Sequence, residues 1–235
     1  MASTKRQTAA ATPEETAVQP RPIDLDVRIN SIVPPNGDNK LRATGSVSMN
    51  GCFAVRGVKV FDGPKGLFVN MPSYKAANGE YRDFCHPVTK EFREQLNNAV
   101  LDAYKQASVQ GQSRAEHDPA SQDAPGAHPI KVDVRITAIT PSSEHQRASA
   151  TVNLNDSFAL KGVRIMEGVN GRYVSTPSFK SGDEYKEHYF PTTKEFREKL
   201  HGAVLNAYDE AIAQSQSQAS ATQDYSPAPA YAQTM

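Results

Sequence analysis

Two stretches of the chain alternate apolar and polar positions in the same way, and the remainder does not. Val27, Ile29 and, after a slip in phase, Ile32 predict a first strand, and Leu41, Ala43, Gly45, Val47 and Met49 alternate as a half-buried strand does. Phe53 and Val55, then Val58 and Val60, predict a third strand whose phase breaks at Gly57, where a glycine points to a β-bulge. Gly66-Leu-Phe-Val opens another strand that ends at Met71-Pro72-Ser73. The period then changes. Phe92, Leu96, Ala99/Val100 and Ala103/Tyr104 recur at helical spacing just after Pro87.

The pattern then returns. Asp26-Val-Arg-Ile recurs as Asp133-Val-Arg-Ile at an offset of 107, and Thr89-Lys-Glu-Phe-Arg-Glu recurs from Thr193 at an offset of 104. Deletions in the loops after Pro34/Pro141 and Lys75/Lys180 account for the drift, since loops tolerate length changes. The second helix carries Phe196, Leu200, Ala203/Val204 and Ala207/Tyr208 behind Pro191. Thr89 is the expected N-cap of the first helix, and Thr192 with Glu195 the expected capping box of the second.

The reading is therefore an α+β chain with two tandem copies of a small antiparallel meander followed by one C-terminal helix. The copies span residues 23–107 and 130–211. Residues 1–22, 108–129 and 212–235 are rich in Ala, Ser, Thr, Gln and Pro without periodicity, and are expected to be a disordered tail, linker and tail. One helix covers one face of such a sheet and leaves its strand edges open. A flexible linker of this length reaches roughly 25–30 Å, against a radius of gyration of about 12 Å for each copy. Side-by-side docking as an intramolecular pseudo-dimer is expected.

Charge adds little at the level of the whole chain. Twenty-six basic residues balance 26 acidic ones, which excludes a protein that coats nucleic acid by bulk charge. By copy the balance differs: net +3 over residues 26–107 and −1 over 133–211, so copy one is the better candidate for a polyanion. No run approaches the roughly 18 apolar residues of a membrane span, and residues 1–20 have no apolar core for a signal peptide. Cys52 and Cys85 cannot build a disulfide framework, and the six histidines show no metal-ligand spacing. A cytoplasmic protein without metal, cofactor, membrane or small-molecule substrate is expected. No nucleophile elbow, P-loop or HExxH helix occurs, so no enzymatic activity is expected. Asp62 and Glu167, each before a turn glycine, are read as turn residues, and Gly63/Gly66 and Gly168/Gly171 as hairpin glycines.

Candidate binding chemistry lies in cations. Lys90/Arg93 and Lys194/Arg197 are i,i+3 pairs at the two helix starts, where free backbone N–H groups also favour phosphate. Interspersed Glu91, Glu94, Glu195 and Glu198 make a plain solvated face the competing reading. Tyr74-Lys75 and Phe179-Lys180 place an aromatic beside a lysine in one loop, twice, with Arg82 and Lys186 nearby. Such a pair can stack a base and hold its phosphate, or the ring can simply anchor the loop.

These residues resemble a known family. Gly66-Leu-Phe-Val-Asn-Met-Pro-Ser, Gly79-Glu-Tyr-Arg-Asp, His86-Pro87 and Ala99-Val-Leu-Asp-Ala-Tyr, with Val27-Arg28 and Leu41-Arg42-Ala43, are similar to the SpoVG family of stage V sporulation and septation regulators. Copy two keeps Val134-Arg135, Arg147-Ala148, Gly162-Val-Arg-Ile and Ala203-Val-Leu-Asn-Ala-Tyr, but has Thr176 for Met71 and Phe190 for His86. The resemblance implies small homodimeric α+β domains that bind DNA, or RNA, and regulate septation, sporulation and gene expression. Two such domains in one chain resemble a fused dimer. Lys90, Arg93, Lys194, Arg197, Lys75 and Arg82 are then the expected nucleic-acid contacts. The alternative is a protein-interaction module that recruits a division or regulatory partner through open strand edges. Homo-oligomerisation through those edges fits either reading.

Overall fold

In the computed structural model the repeated alternation forms two five-stranded antiparallel sheets with one helix per copy. Residues 23–110, 129–140 and 144–223 are described. In copy one, β1 (Leu25–Ile32), β2 (Leu41–Met49), β3 (Phe53–Gly63) and β4 (Gly66–Asn70) make the expected meander. Short strands β5 (Ser73–Lys75), β6 (Tyr81–Asp83) and β7 (Cys85–Pro87) follow, then α1 (Lys90–Gln110). Copy two repeats the order as β8 (Val132–Ile139), β9 (Gln146–Leu154), β10 (Phe158–Gly168), β11 (Gly171–Ser175), β12 (Ser178–Ser181), β13 (Glu184–Glu187), β14 (Tyr189–Pro191) and α2 (Lys194–Gln223).

The expected phase slips are bulges. The β2–β3 register skips Gly57, and the β9–β10 register shifts between Leu160 and Val163 around Gly162. Both glycines have φ of +76°, a left-handed conformation that a side chain would strain. Gly63 pairs with Gly66 and Gly168 with Gly171 at the ends of hairpins, as expected.

The copies are joined by exchange of their last strands. The β7 strand leaves its own sheet and pairs with β10, and β14 pairs with β3. The sheets are thus β1-β2-β3-β14 with β4 also on β3, and β11-β10-β9-β8 with β7 also on β10. Backbone bonds lengthen each seam: Lys161 N–H donates to Phe84 O and Val88 N–H to Ser157 O, both at 2.7 Å. The mirror seam has Arg56 N–H on His188 O at 2.7 Å and Thr192 N–H on Cys52 O at 2.8 Å. Pro87 and Pro191 end these added strands, at sheet margins where a missing N–H does no harm.

One apolar core runs through both copies. Phe92 of α1 meets Phe158 of copy two edge to face at 6.0 Å, and Phe196 of α2 meets Phe53 of copy one with the same geometry. Tyr189 is fully buried and its hydroxyl donates to Lys161 O at 2.6 Å. The expected pseudo-dimer is therefore an interlocked one, with each helix start seated on the other copy's third strand.

Three local expectations change. The N-cap of α2 is Thr193, whose Oγ1 accepts from Phe196 N–H at 3.2 Å, as Thr89 does from Phe92 N–H. Thr192 instead donates to Gly51 O at 2.8 Å, because the exchanged strand has drawn it against copy one. Residues 108–110 and 212–223, expected in linker and tail, are helical: after Gly202 no glycine or proline interrupts an Ala- and Gln-rich run until Pro227. The disorder expected over residues 1–22, 111–128 and 224–235 lies outside the described residues. Asp62 and Glu167 also do more than turn the chain, since they pair with Arg42 at 3.0 Å and with Arg147.

Candidate nucleic-acid interface

The third strand of each copy changes partner half-way. Along β10, Phe158–Leu160 pair with β7 and Arg164–Gly168 with β11, leaving Lys161, Gly162 and Val163 between. A cleft of about 880 Å³ opens over this gap. Copy two contributes Lys161, Gly162, Arg164 and Pro177. Copy one contributes Tyr74, Tyr81, Arg82, Asp83 and Phe84 from the β5–β6 hairpin and its exit, with His86 of β7 and Arg93 of α1. Four cations drawn from both copies thus line the cleft, with Asp83 as its acidic lining residue.

Each cation is set differently. Arg82 is an exposed neighbour of Glu80, at 3.8 Å. Arg93 is tethered, its Nη2 donating to Pro87 O at 2.9 Å, which leaves other guanidinium N–H groups available. Lys161 and Arg164 are exposed beside the bulge. His86 sits among them, and its pKa is lowered from 6.5 by burial first and by Lys161 second, against an opposing pull from Asp83, with Arg93 adding the least. Cys85 is fully buried next to it, and burial pushes its thiol pKa up.

Of the six expected contacts, the cleft gathers Arg82 and Arg93. Lys90 lies outside it, exposed and 3.7 Å from Glu94. Lys194 stands likewise 3.8 Å from Glu198, and Arg197 donates to Pro191 O at 3.3 Å. Lys75 is exposed on β5 opposite Tyr81. Lys161 and Arg164 were not singled out from the sequence; they belong to copy two and reach the cleft only because β7 crosses over. The signal lay in Gly162-Val-Arg-Ile, where a bulge glycine between two cations marks an exposed break in a buried strand.

The pseudo-symmetric position is built differently. Phe190 replaces His86, and the Arg56 guanidinium lies over its ring at 3.9 Å. His188 there has its pKa lowered by burial, then by Lys59.

A family model for SpoVG matches twice, over residues 24–106 and 130–210. The chain belongs to the SpoVG family. Among curated relatives, a septation protein SpoVG of Heliobacterium modesticaldum is 46% identical over 82 residues, 35% of this chain and 89% of the relative. Those of Treponema denticola and Clostridioides difficile are 36% and 38% identical over 91 residues, 39% of this chain and 95% and 96% of theirs. One SpoVG relative therefore corresponds in length to one copy, and this chain holds two SpoVG domains in tandem. Among the described residues, no helix is long and apolar enough to cross a membrane.

Proposed function

We propose that the chain is a nucleic-acid-binding regulator of septation or gene expression that acts from the cytoplasm, and that the composite cleft holds the phosphate backbone. The observation that carries this reading is that Arg82, Arg93, Lys161 and Arg164 line one cleft in which Asp83 is the acidic lining residue. Near-zero net charge does not oppose it, because phosphate binding responds to local cation placement. Lys90, Lys194, Arg197 and Lys75 extend the contact at the margins, where exposed ion pairs are weak enough to exchange for phosphate.

The test is affinity of the full chain for labelled DNA, single- and double-stranded, across a salt series. Four phosphate contacts give a slope of log K against log salt of about −3.6 on duplex or about −2.8 on a single strand. Lys161→Glu with Arg164→Glu should remove about half of that slope. Salt-independent binding, or affinity unchanged by this double reversal, rejects the reading.

A second reading rests on β1 and β8, which end their sheet orders and, among the described residues, leave one strand edge each unpaired by other strands. A division or regulatory protein would dock there by strand addition. A pull-down that survives the double reversal but fails with a proline at Arg28 would favour it.

A further inference from the structure

Phosphate binding leaves one feature of the cleft unused. Four rings stack in a row across the junction of the copies: Tyr74 on Phe84 at 4.9 Å, Phe84 on His188 at 4.4 Å, and His188 against Phe179 at 4.8 Å between centroids. The two inner rings have neighbours on both sides. The ends differ: Phe179 is half-buried, whereas Tyr74 is 43% exposed and lines the cleft. Tyr74 also pairs directly with Arg82 across β5 and β6, so ring and guanidinium stand side by side on one hairpin face. An aromatic row that stops at an exposed ring invites one more planar group, and the cations beside it select one that carries phosphate. A base inside a duplex has both faces occupied and its edge paired; it would have to be extruded first.

We infer that the cleft takes single-stranded nucleic acid, with one unpaired base stacked on the face of Tyr74 turned away from Phe84 and the flanking phosphates held by Arg82, Arg93, Lys161 and Arg164. This rests on the phosphate-binding reading above and adds the form of the ligand and the residue that selects it. The corresponding ring at the other end of the row, Phe179, is half-buried, so one strand per chain is expected.

The experiment uses the full chain and four fluorescein-labelled probes of equal length, roughly a dozen nucleotides, within the span small domains cover. They are a thymidine strand, a uridine strand, an abasic phosphodiester strand and a duplex. Base-bearing strands are expected to bind at one per chain and about tenfold more tightly than the abasic strand. Tyr74→Ala should erase that difference and Tyr74→Phe should keep it. The chain has no tryptophan, so Tyr74→Trp supplies a single indole, quenched by the base-bearing strands and untouched by the abasic one. This variant decides the matter even if Tyr74→Ala does not fold. Tighter thymidine or tighter uridine binding assigns DNA or RNA, and either supports the inference. Equal affinity for abasic and base-bearing strands overturns it, as does a duplex bound more tightly than any single strand. If such a result comes with binding still lost in Lys161→Glu/Arg164→Glu, the phosphate reading survives alone. If no probe binds, both fall.

Discussion

The two halves of the junction have the same backbone and different surfaces. In both, a β-bulge glycine at φ +76° sits where a long strand changes partner, and in both a three-residue strand from the other copy crosses over. One position carries His86 beside Lys161 and lies open; the other carries Phe190 under the Arg56 guanidinium. The difference shows how a fused pair escapes two-fold symmetry. Buried residues that interlock the copies are held by reciprocal packing, so Phe92 on Phe158 must match Phe196 on Phe53. Surface positions over the gap carry no such constraint, so one half sets a cation over a buried ring while the other leaves its lysine exposed in a cleft.

The sharpest way to break this comparison is at its shared base. Phe158→Ala is expected to cost about 3–5 kcal/mol, with both copies unfolding in a single urea transition, because Phe158 sits at the interlock. Two separate transitions would show that the copies are independent. Phe53→Ala should behave in the same way.

Smaller effects sharpen the asymmetry. Arg56→Ala removes a cation stacked on a buried ring and should cost about 0.5–2 kcal/mol. Lys161→Ala, at the matching open position, should change stability by less than about 0.5 kcal/mol. The caps, in contrast, are equivalent: Thr89→Ala and Thr193→Ala should each cost about 0.5–2 kcal/mol by chemical denaturation. A marked difference between the two caps would mean that the helices are anchored unequally.

The smallest effect expected is with pH. His86, His188 and His201 all have pKa values lowered from 6.5, chiefly by burial. The folded chain then binds fewer protons than the unfolded one near this pH, so their contribution is complete above about 6.5 and declines as pH falls below it. Urea midpoints measured on either side of that pH should fall on the acid side, and His188→Gln should flatten the decline. A midpoint that rises with acidity would contradict the burial of these rings.

Much of this molecule was legible in local pattern. Alternation over Leu41–Met49 placed a strand, the slip at Gly57 placed a bulge, and the Phe92–Leu96–Val100 spacing placed a helix, because backbone period alone decides which side chains share a face. The repeat and the family followed from the same residues. Cys85-His86-Pro87 was not legible as a strand: three residues show no period, and their partner Phe158–Leu160 lies more than 70 positions away. Counting charge by copy could not locate this cleft for the same reason, since the cleft takes two cations from each copy.

Residue order by itself determined that there are two matching modules, where their strands bulge and where their helices begin, to within one threonine. Only tertiary structure decided that the modules trade their last strands and which of the many cations line one cleft. The reason is physical: periodicity reports contacts a few residues apart, whereas strand exchange and charge convergence depend on distances in space that no local spacing encodes.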